Sequence, residues 1–126
     1  MAGYSGTPLP KKLGIKPDSR VLLVDPPAGL DLPSDDGPGP FDVILVFCPD
    51  EAALRARFPA AKEALAIDGR LWVCWPKKSS GVPTDLSENP IRDYGLDQGL
   101  VDNKVAAVDA TWSGLQFVYR LKDRKP

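Results

Sequence analysis

Histidine is absent from the 126 residues. Its absence excludes Ser-His-Asp and Cys-His nucleophile arrangements and removes the commonest transition-metal ligand. Cysteine is almost as scarce. Cys48 and Cys74 lie in separate apolar runs with no C-x-x-C spacing, the pattern of two reduced, buried thiols in a cytoplasmic protein. With so few soft ligands, no metal site is expected. No apolar run approaches the roughly 18 residues of a membrane span, and the N-terminus lacks the basic start and apolar stretch of a signal peptide. Neither charge sign dominates: 16 bases against 17 acids give a net charge of -1. A global field of the kind that draws a chain to nucleic acid is therefore missing, and no nucleic-acid partner is expected. Internal repeats and low-complexity segments are also absent.

What is abundant is punctuation. Fourteen prolines and 11 glycines divide a chain of ordinary globular composition, long enough for one core and one domain. Thr7 to Gly14 reads as a short helix with Thr7 capping, Pro8 in the first turn and Gly14 in the left-handed position after it. Arg20 to Val24 and Asp42 to Cys48 are apolar on both faces, as in parallel strands covered on either side. The Pro- and Gly-rich stretch between them is a loop, with at most a very short strand near Gly29 to Leu32. Asp50 caps a helix whose apolar face is Leu54, Phe58, Ala61 and Leu65, with a kink expected at Pro59. Asp68-Gly69 turns the chain into a third buried strand, Arg70 to Trp75. Thr84 or Asp85 is expected to cap the next helix, with Asp85 and Glu88 spaced for a capping box. The runs Lys104 to Val108 and Leu115 to Leu121 then read as a hairpin.

This order resembles the class I methyltransferase plan with part of its first half missing. Leu65 to Val73 is similar to that superfamily's approach to its fifth strand, and Lys16 to Val24 to its approach to the first. More narrowly, three stretches are similar to a bacterial family of small proteins of unknown function. They are Tyr4 to Leu9 with Lys11 to Ile15, Trp75 to Val82 with Thr84-Asp85-Leu86, and Asp109 with Thr111 to Leu115. The resemblance implies a three-layer α/β sandwich. Its Rossmann-like, mostly parallel sheet would carry a C-terminal antiparallel hairpin strand. It names no activity. The methyltransferase cofactor site needs a glycine-rich turn after the first strand, where this chain has Asp25-Pro26-Pro27, and an acid after a second strand, for which Asp31 is the nearest match. Two prolines remove N–H donors where glycines are needed, so no cofactor is expected.

In an open α/β sheet, ligands sit outside the carboxyl ends of the parallel strands. Lys77, Lys78, Ser79, Ser80 and Gly81, followed by Thr84 and Asp85, form a candidate cradle for a small anionic ligand. Lysines supply charge, hydroxyls and N–H groups supply hydrogen bonds, and a helix N-terminus adds its dipole. Thr111, Trp112 and Ser113 in the hairpin loop add an aromatic surface beside it. The alternative for the lysines is a basic loop with one of them paired to Asp50 or Asp109. Asp25, Asp50, Asp85 and Asp109 are candidate acid–base groups, each with a rival role as a helix cap or turn residue. Two functions fit: a non-catalytic binding module for a small molecule or protein, or an enzyme. The enzyme would be a divergent methyltransferase or act on nucleotides or phosphate esters through Lys77 and Lys78. Finally, Arg20 to Val24 is expected at a sheet edge. There it is either covered by the proline-rich stretch or paired in a homodimer.

Overall fold

The computed structural model describes residues 8–124. Five strands form one open mixed sheet in the order β1-β2-β3-β5-β4. They are β1 (Val21–Val24), β2 (Phe41–Phe47), β3 (Leu65–Pro76), β4 (Leu100–Ala107) and β5 (Trp112–Tyr119). The pairs β1/β2 and β2/β3 are parallel; β5 runs antiparallel between β3 and β4. Thus β4 points the same way as the first three strands, and β5 alone is reversed. Among the described residues, no helix is long and apolar enough to cross a membrane.

Helix α1 (Leu9–Leu13) ends at Gly14, whose φ of 82° closes it in the left-handed conformation; the Thr7 cap lies outside the described residues. Helix α2 (Glu51–Glu63) starts as expected, with Asp50 accepting from the Ala53 N–H, and continues through Pro59. Leu65 is not on its face. It opens β3 instead, pairing with Phe41 before the register shifts and Val43 pairs with Arg70. Asp68 and Gly69 therefore lie within an irregular strand, not a turn, and Gly69 has backbone of Phe41 and Asp42 against it where a side chain would stand. Helix α3 (Glu88–Asp97) begins three residues after Asp85, behind Ser87, so neither Thr84 nor Asp85 caps it. No strand forms between Gly29 and Leu32.

Alternation along the strands sends side chains to two cores. Phe41, Ile44, Val46, Leu71, Val73, Leu115 and Phe117 pack under α2 and α3 with Leu54, Phe58 and Ile91. On the other face, Val43, Leu45, Phe47, Trp72 and Cys74 pack beneath Leu13 of α1 and half-buried Leu30 and Leu32 of the proline-rich loop. The Trp72 indole N–H donates to the Leu13 carbonyl at 3.0 Å, fixing α1 to the sheet.

Strand β1 is an edge, as expected, and the loop after it folds back along that edge. The Asp35 carboxylate accepts from the Val21 N–H at 2.6 Å, the Asp35 N–H donates to the Val21 carbonyl at 2.7 Å, and Ser34 Oγ accepts from the Leu23 N–H. Arg20 reaches the Asp36 and Pro38 carbonyls. Of the two alternatives for this edge, a cover by the proline-rich stretch or a homodimer, the chain shows the cover.

Candidate functional site

Strands β1, β2 and β3 end together, and β4 ends beside them because it shares their direction. The Lys77 N–H donates to the Thr111 carbonyl at 2.7 Å, joining the loop after β3 to the β4–β5 turn. This turn is built by Asp109, whose Oδ1 accepts from the N–H groups of Thr111 and Trp112 at 2.8 and 2.7 Å. Trp112 pairs with Pro76 in the ladder and packs edge-on against Phe47, with ring centroids 5.2 Å apart. Its ring is half-buried packing and only partly available as a stacking surface. Ser113 pairs with Trp75 on β3 and Ala107 on β4.

Lys78-Ser79-Ser80 makes one 3₁₀ turn that Gly81 ends at φ 79°. Ser80 Oγ donates to the Lys77 carbonyl at 2.6 Å and accepts from the Val82 N–H at 3.2 Å. Its hydroxyl shapes the loop, while Ser79 and Lys78 stand exposed. Thr84 Oγ1 accepts from the Leu86 N–H at 3.1 Å. Asp85 turns to α2, where its Oδ1 accepts from the Glu51 N–H at 2.8 Å beside the Asp50 cap. The helix dipole assigned to the cradle is therefore missing. Helix α3 starts too late to supply it, and the N-terminus of α2 is already met by two carboxylates, those of Asp50 and Asp85.

Each candidate acid at this end has a structural partner. Asp25, at a left-handed φ of 52°, is ion-paired with Arg57 at 2.7 Å. Arg57 also donates to the Phe47 carbonyl at 2.5 Å, so one guanidinium from α2 bridges the ends of β1 and β2. The lysines differ from these acids: among the described residues, neither Lys77 nor Lys78 forms an ion pair with Asp50, Asp109 or any other carboxylate. Both thiols are fully buried. Desolvation, partly opposed by Arg57, pushes the Cys48 thiol up to about 12, and burial raises Cys74 well above the usual thiol range. Neither can supply a thiolate near neutral pH. No three His, Cys, Asp or Glu side chains cluster to hold a metal ion among the described residues.

Of the residues singled out in the sequence, the Lys77 to Gly81 loop and the Thr111 to Ser113 segment are joined through Lys77 and Thr111; Asp85 is drawn to α2, and Thr84 bonds only within its own loop. Arg57 was missed. Its only signal was a base about two helical turns beyond the Asp50 cap, which does not reveal a partner 32 residues earlier. Comparison of the chain with protein-family models and with curated proteins finds no match.

Proposed function

We propose that the carboxyl end of the sheet is a non-catalytic binding shelf for a small anion, presented by Lys77, Lys78 and Ser79 beside the Thr111–Ser113 turn. One observation carries this reading: Asp25, Asp50, Asp85 and Asp109 are each engaged by an arginine or by backbone N–H groups, while among the described residues neither lysine has a carboxylate partner. Catalysis by proton transfer needs an acid or base free to face the substrate, and these four are held elsewhere. The strand directions support a Rossmann-like, truncated methyltransferase layout. The residues after β1 do not fit S-adenosylmethionine. Asp25 occupies the turn where glycine is needed, two prolines without N–H groups follow, and the Arg57 guanidinium spans the ends of β1 and β2.

The test is thermal unfolding in phosphate or sulfate. An occupied site stabilises by RT ln(1 + [L]/Kd), about 2.7 kcal/mol at 100 times Kd. The melting temperature should rise with anion, and Lys77→Ala with Lys78→Ala should remove the rise while leaving stability without anion within about 0.5 kcal/mol. An equal rise in the double variant, or none in the native protein, rejects the shelf. Micromolar S-adenosylmethionine affinity, about −8 kcal/mol, would reject the account of the β1 turn.

A further inference from the structure

The opposite end of the sheet, where the parallel strands begin, holds a cavity of about 290 Å³ lined by Gly14, Lys16, Asp18, Ser19, Asp42, Val43, Asp68 and Arg70. Its wall is mostly polar, and it carries both signs of charge: two cations, Lys16 and Arg70, and three carboxylates, Asp18, Asp42 and Asp68. Among the described residues these groups form no ion pairs with one another. Asp42 uses Oδ2 to accept from the Arg20 N–H at 2.8 Å, leaving Oδ1 without a partner there.

The position of the charges is set by backbone. Arg70 enters the sheet opposite Val43, and Asp42 lies at the register shift just before that pair, so the irregular start of the β2/β3 ladder brings cation and carboxylate to the same groove. The Arg70 guanidinium lies against Gly14, so close that any side chain at Gly14 would overlap it. Gly14 therefore closes α1 at positive φ and also leaves room for the arginine. Gly69 presses on the Asp42 carbonyl at the other side, which fixes the start of β3 against β2.

From this arrangement, the geometry points to a site for a small zwitterion of the free α-amino acid type. Its carboxylate would meet Arg70 and Lys16, and its ammonium would meet Asp42 with Asp18 or Asp68. A simple anion entering the cavity faces three carboxylates, and a simple cation faces Arg70 and Lys16. Only a molecule bearing both charges matches the wall. The groove is open to solvent on one side, with Lys16, Asp18 and Asp68 exposed at its rim, and its volume of about 290 Å³ has room for a molecule of amino-acid size. The site is independent of the lysine shelf, from which the length of the strands separates it.

The test is an amide NMR titration of the full chain with L-alanine, with acetate and ethylammonium as single-charge controls. Saturating shifts are expected at Gly14, Ser19, Val43 and Arg70 and not at Lys77 to Gly81. Each control should bind at least tenfold more weakly. Arg70→Gln and Asp42→Asn, the second of which keeps an acceptor for the Arg20 N–H, should each weaken L-alanine at least tenfold. Absence of saturation, a control binding as well as L-alanine, or unchanged binding in both variants overturns the proposal. The comparison among the three probes needs no variant, so it decides even where a substitution disturbs the fold.

Discussion

The two faces of the sheet are covered by different means. On one, α2 and α3 interlock with the strands through large apolar groups: Phe58 meets Tyr94 and Phe117 edge-on at 5.2 and 6.0 Å. Gly95 there lets α3 lie directly on the Phe117 ring. On the other, a helix of five residues and an irregular loop do the covering, and single polar bonds fix their places: Trp72 to Leu13, Lys104 to Lys12, Asp35 to Val21. Apolar packing is collective and unfolds as one unit, whereas a cover held by a few bonds opens locally. The helical face should therefore set global stability and the α1 face local opening.

The sharpest test of that contrast is Phe58→Ala. It leaves a cavity among Tyr94, Phe117 and Leu54 and should cost about 3–5 kcal/mol in urea unfolding; a loss below about 1 kcal/mol would remove the distinction between the faces. Next is Trp72→Phe, which keeps an aromatic ring but orphans the buried Leu13 carbonyl, at about 1–3 kcal/mol. Hydrogen exchange should then speed up at Lys12 to Ile15 well before it does in α2, and equal acceleration in both would count against local opening.

The thiols compare the faces directly, since Cys48 lies in the helical core and Cys74 in the other. Burial raises both above the ordinary value of 9.0, Cys48 to about 12. Below pH 9 both are neutral whether folded or unfolded, and their contribution is complete. Between pH 9 and 12 the unfolded thiols ionise and the buried Cys48 thiol does not, so stability falls as pH rises, by about 1.4 kcal/mol per pH unit for Cys48. Cys48→Ala and Cys74→Ala should each flatten the decline measured by denaturation at pH 9–10.5. An unchanged slope in either variant would place that thiol in contact with solvent. The smallest effect is expected for Asp35→Ala, about 1 kcal/mol. It frees the Val21 N–H at the β1 edge, so light scattering should show mass rising with concentration; a constant monomer mass would mean that Ser34, Arg20 and the remaining Asp35 N–H bond to the Val21 carbonyl suffice to close the edge.

The helical face was largely legible from sequence. Apolar spacing at Leu54, Phe58 and Ala61, the Asp50 cap and the runs of β2 and β3 are local signals, and all appear in the structure. The errors arose where a distant partner overrode a local one. Asp85 sits well for capping its own helix, but the Glu51 N–H, 34 residues away, takes it instead. Asp68-Gly69 has the composition of a turn, yet Asp42 and Phe41 draw it into the irregular start of β3. At the candidate shelf, Lys77 to Gly81 and the Thr111 turn were found because loops after parallel strands converge. The opposite cavity was not, because its wall is gathered from the approaches to three strands between Gly14 and Arg70 and no stretch carries enough of it to form a motif.

The indole bond between Trp72 and Leu13 has an optical consequence. Trp72 is fully buried with its N–H satisfied by α1, so its emission belongs at the blue end of the tryptophan range. Release of α1 would admit water to that nitrogen and move the emission to the red while the helical face stays packed. The protein thus carries an intrinsic fluorophore between its sheet and its thinner layer, beneath the helix whose terminal Gly14 rests on Arg70. With Trp75 and Trp112, the other two tryptophans, replaced by phenylalanine, docking of α1 can be followed in solution without a label.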